Sequence, residues 1–544
     1  MSKLIFHNGR VITMNDDELF AEAVLVDDGK IAAVGSNDEI LAMKDDDTEI
    51  RDLEGNCLMP SFIDAHSHAC GQAMFSECCY LGAPPMGKVT SIDEMIETMK
   101  DFIEKNPDIE GPVVGYGYDH TMLKELRHPD KFDLNKISTE RPVIIVHFSI
   151  HMAVMNDLAL EMFGYVKGCK DPEGGVVERI AGTDEPNGMT QEMAARGPVL
   201  KIFAKDIQES AKAVARAQKL YASYGHTTWQ EGATTPIFFE YCLEAAKQNL
   251  LYLDLIAYPF EEFVEEGLSG ERFPVMEYRN HLKLGGAKNV QDGGLPGKTC
   301  WLTKPYYVVP EGEDPSYSGY PIQKDETVYN FFKKCMEHGW QPLSHALGDA
   351  AIDQYLRCYE QALNDTGCTL DIRPVLIHCS VCRQDQLDKM KELGITPSYF
   401  HSHVNLFGDF HRDNVLGPDR AEEQLLPIKS AIDRGMMYTM HTDCPVMPPN
   451  TMHLVWTAVN RVTRSGKVLG PQERITPLEA LKAVTINSAW TYFEEDIKGT
   501  LEPGKLADMM ILDKSPLDID PMDIIDIKIL ETIKEGTTIF ELED

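Results

Sequence analysis

Short apolar runs alternate with turn-forming residues at both ends of the chain, a pattern typical of β-strands joined by hairpins. Two of these runs flank the segment DDGK at 27–30, whose turn composition predicts a hairpin. Near the other end, the apolar run at 509–512 supplies a further strand. Neither end is long enough for an independent β-domain, and chain termini often meet in space. We therefore predict that residues 1–59 and 485–544 together form one small β-sandwich domain.

Between residues 60 and 484, strand-like runs alternate with amphipathic, helix-like stretches, which indicates a parallel sheet covered by helices. Eight strand candidates lie at 61–65, 143–147, 227–231, 282–290, 341–345, 374–378, 395–399 and 437–442. Eight parallel strands predict an α/β fold of the closed (β/α)8 kind, a TIM barrel. The long interval after the first strand predicts an insertion at about 70–140, and we expect it to cover the barrel mouth.

Composition narrows the class of partner. The chain has 544 residues and a formal net charge of −36, and such acidity repels nucleic acid and anionic membrane surfaces. We therefore expect neither as a partner and expect a small-molecule substrate instead. Thirteen cysteines without framework spacing, and a first segment without the apolar core of a secretion signal, predict a cytoplasmic protein with reduced thiols. The sequence leaves the choice between a monomer and a homodimer open.

The pair His66 and His68 closes the first strand candidate. Residues two apart on a strand point the same way, so both imidazoles can converge on one point. The C-terminal ends of barrel strands carry the active site, and neutral imidazole is a common transition-metal ligand. On its own, the pair is as consistent with solvated loop residues as with a metal site. The assignment therefore depends on the other candidate ligands.

Three more candidate ligands follow in order along the chain. His345 ends the fifth strand candidate, His378 ends the sixth and Asp443 follows the eighth. Taken singly, each of these histidines fits a structural role in the core or at the rim. Their placement at successive strand ends instead favours a metal centre on the barrel rim.

These residues and several further motifs resemble the amidohydrolase superfamily, in particular the branch that contains N-substituted formamide deformylases and related amide hydrolases. The similarity covers nearly the whole chain, through the motifs FIDAHSH at 62–68, GMTQE at 188–192, HALGD at 345–349, TDCPV at 442–446 and GTLEPGKLAD at 499–508. It implies a metal-dependent hydrolase whose ligands are His66, His68, Lys288, His345, His378 and Asp443.

The resemblance also implies that Lys288 ends the fourth strand and is carboxylated to bridge two metal ions. An amine must be deprotonated to capture carbon dioxide, and burial favours this by lowering its pKa. The alternative is an ordinary strand lysine paired with a carboxylate such as Asp292, which would leave a mononuclear or asymmetric site. The expected cofactors are one or two divalent metal ions, with Zn²⁺ favoured.

The chain departs from its relatives around the strand ends. Relatives usually carry Gly-Ser-Asp on strand eight, where this chain has His441-Thr442-Asp443, and His401 and His403 follow the seventh strand candidate. These histidines can contact substrate, donate a hydrogen bond to a metal ligand or serve as loop residues. We predict substrate contacts by His403 and, near the insertion, by Tyr118 and His151. Glu231, at the end of the third strand candidate, is interpreted as a structural cap.

The predicted reaction is hydrolysis of a C–N amide bond in a small molecule of the N-acyl or N-formyl type. A metal ion lowers the pKa of water to about 7, and Asp443 takes the proton and returns it to the leaving nitrogen. Two alternatives remain. The same centre supports a deaminase or an esterase, and a barrel of this kind can also serve as a non-catalytic scaffold or regulator.

Overall fold

The computed structural model describes residues 3–148, 152–172, 174–203, 206–310 and 312–543, and within them the chain forms two compact units. The first unit comprises Met1–Ala69, Gln218–Asp443 and Pro449–Asp544. The second comprises Cys70–Ala217 and Cys444–Pro448, so it is longer than the insertion expected at about 70–140. That the insertion covers the barrel mouth stays a prediction.

Strands from both chain ends pair with each other in the first unit. Met509–Leu512 lies antiparallel to Cys57–Pro60, and the hairpin around residues 27–30 forms with Asp27 opposite Lys30. A four-stranded sheet has the order Lys30–Gly35, Ala23–Asp27, Leu4–His7 and Glu49–Asp52. A six-stranded sheet has the order Thr537–Glu541, Ile529–Lys534, Met509–Leu512, Cys57–Pro60, Arg10–Ile12 and Phe20–Ala21. Both sheets contribute to one buried apolar cluster, which includes Phe6, Val24, Leu58 and Ile511.

Two parallel sheets form the centre of the first unit. One has the order Leu282–Leu284, Asp254–Pro259, His226–Thr234 and Phe62–Ile63. The other has the order Gly286–Val290, Gln341–Ala346, Val375–His378, Thr396–Tyr399 and Thr439–Met440. A bridge between Phe260 and Lys288 links the sheets on one side. On the other side, the Asp443 amide donates a hydrogen bond to the His66 carbonyl at 3.1 Å.

The structure corrects the assignment of the parallel strands at two points. The predicted second strand, Val143–His147, belongs to a separate sheet of the second unit, whereas Asp254–Pro259 is a parallel strand that the sequence analysis missed. The candidate at 282–290 is also divided into two strands at Gly285. Counting along the chain, the second parallel strand is His226–Thr234 and the third is Asp254–Pro259. A buried apolar run such as 143–147 has the same pattern in either sheet, so periodicity alone cannot assign it.

The second unit contains a six-stranded sheet with the order Gly175–Arg179, Pro186–Glu192, Met152–Met155, Val143–His147, Val113–Tyr118 and Cys79–Tyr80. Val113–Tyr118 and Val143–His147 run parallel to each other, and Val143–His147 and Met152–Met155 run antiparallel. Apolar residues of helix Ile92–Lys105, including Met95 and Met99, pack with strand residues such as Val113 and Ile145 in one buried cluster.

Helices connect the strands as the amphipathic stretches predict. The amphipathic stretches at 208–224 and 350–364 form the helices Ile207–Ser223 and Asp349–Thr366. The second helix is followed by Gly367, whose φ of 60° suits glycine. No helix among the described residues is long and apolar enough to cross a bilayer. The other α-helices are Asn37–Leu41, Ala69–Phe75, Ile92–Lys105, Lys131–Asn135, Asp157–Met162, Met193–Phe203, Pro236–Lys247, Val264–Gly267, Asp325–His338, Gln384–Leu393, Ser402–Phe410, Pro418–Gln424, Ile428–Asp433, Thr451–Asn460, Pro477–Ala483 and Ile486–Thr491.

Candidate metal centre

All six predicted ligands lie near the carboxyl-terminal ends of parallel strands, with Lys288 two residues before the last residue of its strand. The same edge of parallel strands carries the active site in barrel enzymes, and side chains from different strands converge there. His66 and His68 follow Phe62–Ile63, Lys288 lies in Gly286–Val290, His345 lies in Gln341–Ala346, His378 ends Val375–His378 and Asp443 follows Thr439–Met440.

His66, His68 and Asp443 bring three ligand atoms together. The Oδ1 atom of Asp443 lies 3.5 Å from Nε2 of His68 and 3.8 Å from Nε2 of His66. The ligand atoms of the three residues all lie within 4.8 Å of one another. Oδ1 of Asp443 is buried and accepts no hydrogen bond from the described residues. A buried carboxylate oxygen without a partner costs free energy, so a cation held between these atoms fits the arrangement.

Lys288 lies beside this trio. Its Nζ atom is 3.3 Å from Nε2 of His66. Burial lowers the pKa of Lys288 to about 7, although the negative charges of Asp443 and Glu231 oppose the shift. The alternative partner Asp292 is engaged elsewhere, because its carboxylate accepts hydrogen bonds from the backbone of residues 347 and 348. A large fraction of Lys288 is therefore the neutral amine at neutral pH.

His345 and His378 complete the cluster. Their ring centroids are 4.6 Å apart, and the His378 ring lies 5.8 Å from that of His66. Burial and the nearby charge of Lys288 lower the pKa of His345 to about 3. Burial also lowers the pKa of His378 well below its usual value. Both rings are therefore neutral at physiological pH, which is the form that binds metal ions.

The backbone turns sharply at two of the ligands. His378 has a φ of 76° and Asp443 has a φ of 56°, both in the left-handed region that few non-glycine residues adopt. Such conformations cost free energy and persist where the surrounding structure imposes them, which is common at functional sites.

Gln230 and Asp64 support the first strand end, and neither role was predicted from the sequence. Oε1 of Gln230 lies 2.6 Å from Nδ1 of His66, so Nδ1 carries the proton and Nε2 keeps its lone pair for a metal ion. The Asp64 carboxylate accepts a hydrogen bond from the Thr442 amide at 3.1 Å, which ties the strand end to the loop that carries Asp443. The aspartate of the motif FIDAHSH is a signal that could have identified Asp64, whereas the glutamine in the β-rich run TTWQEGAT resembles any polar strand residue.

His441 forms a hydrogen-bonded chain with His378. Nε2 of His441 lies 3.2 Å from Nδ1 of His378, and Nδ1 of His441 lies 2.8 Å from Oγ of Ser398. His441 is fully buried, and burial lowers its pKa to about 3. Because Nδ1 of His378 faces His441, its Nε2 atom is the one left for a metal ion. Of the roles open to His441 from the sequence, the geometry corresponds to hydrogen bonding with a ligand.

The other predicted contact residues lie in different surroundings. His403 is buried, and its Nδ1 is 3.2 Å from Nε2 of His411. Burial lowers the pKa of His403 to about 4, although the negative charge of Asp443 opposes the shift. Both ring nitrogens of His401 are buried without a hydrogen-bond partner among the described residues. Tyr118 is buried in the second unit, where its hydroxyl lies 3.1 Å from Nδ1 of His128. His151 lies outside the described residues. The substrate contacts of His403, Tyr118 and His151 stay predictions.

Glu231 differs from its predicted place. It lies on the second parallel strand rather than the third, is fully buried, and forms a backbone bridge with His68. Its Oε1 accepts a hydrogen bond from the Ala233 amide, as a cap would, and its charge also acts on Lys288. Glu231 is therefore part of the surroundings of the centre as well as a structural residue.

A comparison with known protein families matches residues 49–540 to the model of the amidohydrolase family. The chain belongs to the amidohydrolase family. It therefore has the TIM-barrel-type α/β fold of that family, in agreement with the two parallel sheets.

Two relatives are similar to this chain over nearly its whole length. An N-substituted formamide deformylase from Arthrobacter pascens is 25% identical over 99% of both chains, and the putative amidohydrolase YtcJ from Bacillus subtilis is also 25% identical over 99% of both. Among solved structures, an uncharacterized metal-dependent hydrolase from Pyrococcus horikoshii is similar with a TM-score of 0.73 and 25% identity, covering 96% of this chain and 99% of that one.

Proposed function

We propose that this member of the amidohydrolase family is a metal-dependent hydrolase that cleaves a C–N amide bond of a small molecule of the N-acyl or N-formyl type. The observation that carries the proposal is the convergence of six ligand side chains from five strand ends, with the buried Oδ1 atom of Asp443 left without a hydrogen bond. The similarity to an N-substituted formamide deformylase supports the choice of an amide bond.

The proposal includes closure of the two parallel sheets into one (β/α)8 barrel. The bridge between Phe260 and Lys288 and the hydrogen bond from the Asp443 amide to the His66 carbonyl support it, because they join the sheets on both sides. A closed barrel gathers the strand ends around one axis, which the six ligands require.

We infer that His66, His68, Asp443, His345 and His378 hold one or two divalent ions, with Zn²⁺ favoured by the mixture of imidazole and carboxylate donors. When bound, such an ion lowers the pKa of a water molecule to about 7 and polarises a carbonyl oxygen of the substrate. Lys288 contributes a ligand if its neutral amine adds carbon dioxide, forming an N–C bond and releasing one proton. The resulting carbamate has two oxygens and can bridge two ions.

Asp443 acts as the proton shuttle in this mechanism. Burial alone would raise the pKa of its carboxyl, but the interaction with His68, whose Nε2 lies 3.5 Å from Oδ1, and the charges of other histidines lower it to about 2. The carboxylate is therefore ionised at neutral pH and can accept a proton from the attacking water. It then delivers that proton to the leaving nitrogen, as a general base followed by a general acid.

A substrate screen with chelator controls tests the proposal. Protein expressed with added zinc should hydrolyse members of a panel of N-formyl, N-acetyl and N-acyl-amino-acid amides, and a chelator should abolish the activity. A folded protein that contains no stoichiometric transition metal after such expression would contradict the hydrolase assignment. One metal ion per chain with unmodified Lys288 and release of ammonia from ring amidines would instead favour a deaminase.

A further inference from the structure

A second group of ligand side chains lies at the carboxyl ends of two parallel strands in the second unit. Asp119 and His120 directly follow the strand Val113–Tyr118, and His147 is the last residue of the neighbouring strand Val143–His147. The two strands are paired in parallel, with Tyr118 opposite His147. Ligands commonly bind beyond the carboxyl ends of parallel strands, because side chains and loops converge there.

The spacing of the donor atoms corresponds to a metal site. Nδ1 of His120 lies 3.4 Å from Nε2 of His147 and 4.0 Å from Oδ1 of Asp119, and the three ligand atoms all lie within 4.8 Å of one another. Zinc–nitrogen bonds of about 2.0–2.1 Å in a tetrahedral site place two ligand nitrogens about 3.3–3.4 Å apart. The nitrogen–nitrogen distance therefore equals the separation of two zinc ligands, and it is longer than the usual range of a hydrogen bond, about 2.7–3.2 Å.

The trio at the centre of the first unit also has its ligand atoms within 4.8 Å of one another. There, Oδ1 of Asp443 lies 3.5 Å and 3.8 Å from the two histidine nitrogens. Both trios consist of two imidazoles and one carboxylate. Two neutral imidazoles and one carboxylate carry a single negative charge, which suits a divalent cation of the zinc type.

Neighbouring rings hold the second trio in position. The His128 ring stacks on the His120 ring with centroids 3.7 Å apart and an interplanar angle of 26°. The hydroxyl of the buried Tyr118 lies 3.1 Å from Nδ1 of His128 and so fixes the stacking ring. Tyr118 also contacts the His147 ring edge-on, with centroids 5.1 Å apart. Partners that orient a ligand ring in this way are a regular part of metal sites.

We propose that Asp119, His120 and His147 form a second binding site for a divalent transition-metal ion of the zinc type. The site has three protein ligands, so a fourth position is open to water or to a ligand atom from elsewhere. The proposal does not depend on the catalytic function of the first unit.

Zinc binding to a chain whose first centre is disabled tests the proposal. The variant carrying His68→Ala and Asp443→Ala loses two ligands of the first trio. Titration of this variant with ZnCl₂, followed by calorimetry, should give one equivalent of bound zinc. Adding His120→Ala should weaken this binding by about tenfold or more. Loss of a residue that only hydrogen-bonds to a metal ligand already costs about 10–100-fold in affinity, and His120 is a ligand itself. His338→Ala is the matched control, because this histidine is exposed in the first unit and stacks on Trp340.

A second measurement covers the case in which the disabled variant does not fold. In the otherwise unaltered chain, His120→Ala should hold one zinc equivalent fewer than the parent after desalting, measured by mass spectrometry of the metal content. His120 is partly exposed, so its truncation should preserve the fold, which circular dichroism checks. Equal zinc content in parent and His120→Ala, or a folded disabled variant that binds no stoichiometric zinc, would overturn the proposal.

Discussion

Replacing His441 tests whether the hydrogen-bonded chain behind His378 supports metal binding. In His441→Gln, the imidazole that faces Nδ1 of His378 is replaced by a flexible amide that can present either an acceptor or a donor, and the bond of His441 to Ser398 is lost. His378 can then rotate or adopt the tautomer that protonates Nε2, and that tautomer cannot bind a metal ion. We therefore expect weaker zinc binding at the first centre without loss of any ligand.

The magnitude follows from the geometry. Removing a partner of a ligand histidine typically costs about 10–100-fold in metal affinity, which is about 1.4–2.8 kcal/mol. The distance of 3.2 Å between the two histidines is at the long end of the hydrogen-bond range, and both rings are neutral, so the bond is a weak member of its class. We expect a loss of about tenfold, the lower end of that range.

The assay is a zinc titration in competition with a chelator of known affinity, performed with metal-free protein at one pH. His453→Gln is the matched control. His453 is also fully buried between a serine and a second partner, with Nδ1 2.9 Å from Oγ of Ser402 and Nε2 3.1 Å from Oδ1 of Asn405. Both variants should lower the midpoint of thermal unfolding, but only His441→Gln should weaken zinc binding. Parental affinity in His441→Gln, or an equal loss in His453→Gln, would refute the reasoning.

Three further predictions concern the first centre. Asp443→Asn should lower kcat/KM on any amide substrate by about 10²–10⁴-fold, which is the usual contribution of a general acid–base. Asp353→Asn, which removes one charge of the ion pair with Arg383, should leave kcat/KM unchanged. The pKa of Lys288 is lowered to about 7, so the fraction of neutral amine rises as the pH rises through 7. With carbon-13 bicarbonate, the NMR signal of the Lys288 carbamate should therefore be stronger at pH 8 than at pH 6. Lys288→Ala should lack this signal. Removal of the bound metal with a chelator should lower the midpoint of thermal unfolding, because a ligand at 100 times its Kd stabilises the native state by about 2.7 kcal/mol. An unchanged midpoint in calorimetry would show that no metal was bound.

The order of the strands was only partly predictable from the sequence. The strand Asp254–Pro259 was not predicted, although it contains the apolar run 255–258, which follows the charged Asp254. In the structure Asp254 is buried, and its carboxylate lies 2.5 Å from Lys498 and 2.9 Å from Lys534. These partners lie more than 240 residues away along the chain. A buried charge is tolerated where such partners exist, and local sequence patterns do not reveal them.

The residues that orient the ligands were also beyond the reach of the sequence. Gln230 and Ser398 are ordinary polar residues in β-rich runs, and nothing local distinguishes them from strand residues that face solvent. Their roles come from atoms brought together by the fold, at 2.6 Å from His66 and 2.8 Å from His441. Ligands are easier to predict, because histidine and aspartate at a strand end are chemically conspicuous, whereas their partners can be any group that accepts a proton.

The misplaced strand did not displace the predicted ligands, for a physical reason. The histidines and Asp443 were located by the strand candidates that they end or follow, and Lys288 by the family resemblance, so their positions are independent of how many strands precede them. Including Val143–His147 and missing Asp254–Pro259 are errors of opposite sign, so the candidate at 282–290, which contains Lys288, remains fourth in order when its two strands are counted together. In the sequence, Glu231 follows the wrongly included strand and precedes the missed one. It therefore lies on the second parallel strand and not, as predicted, on the third. On this strand, the backbone of Glu231 lies beside that of His68. The negative charge of Glu231 opposes the deprotonation of Lys288 that burial favours.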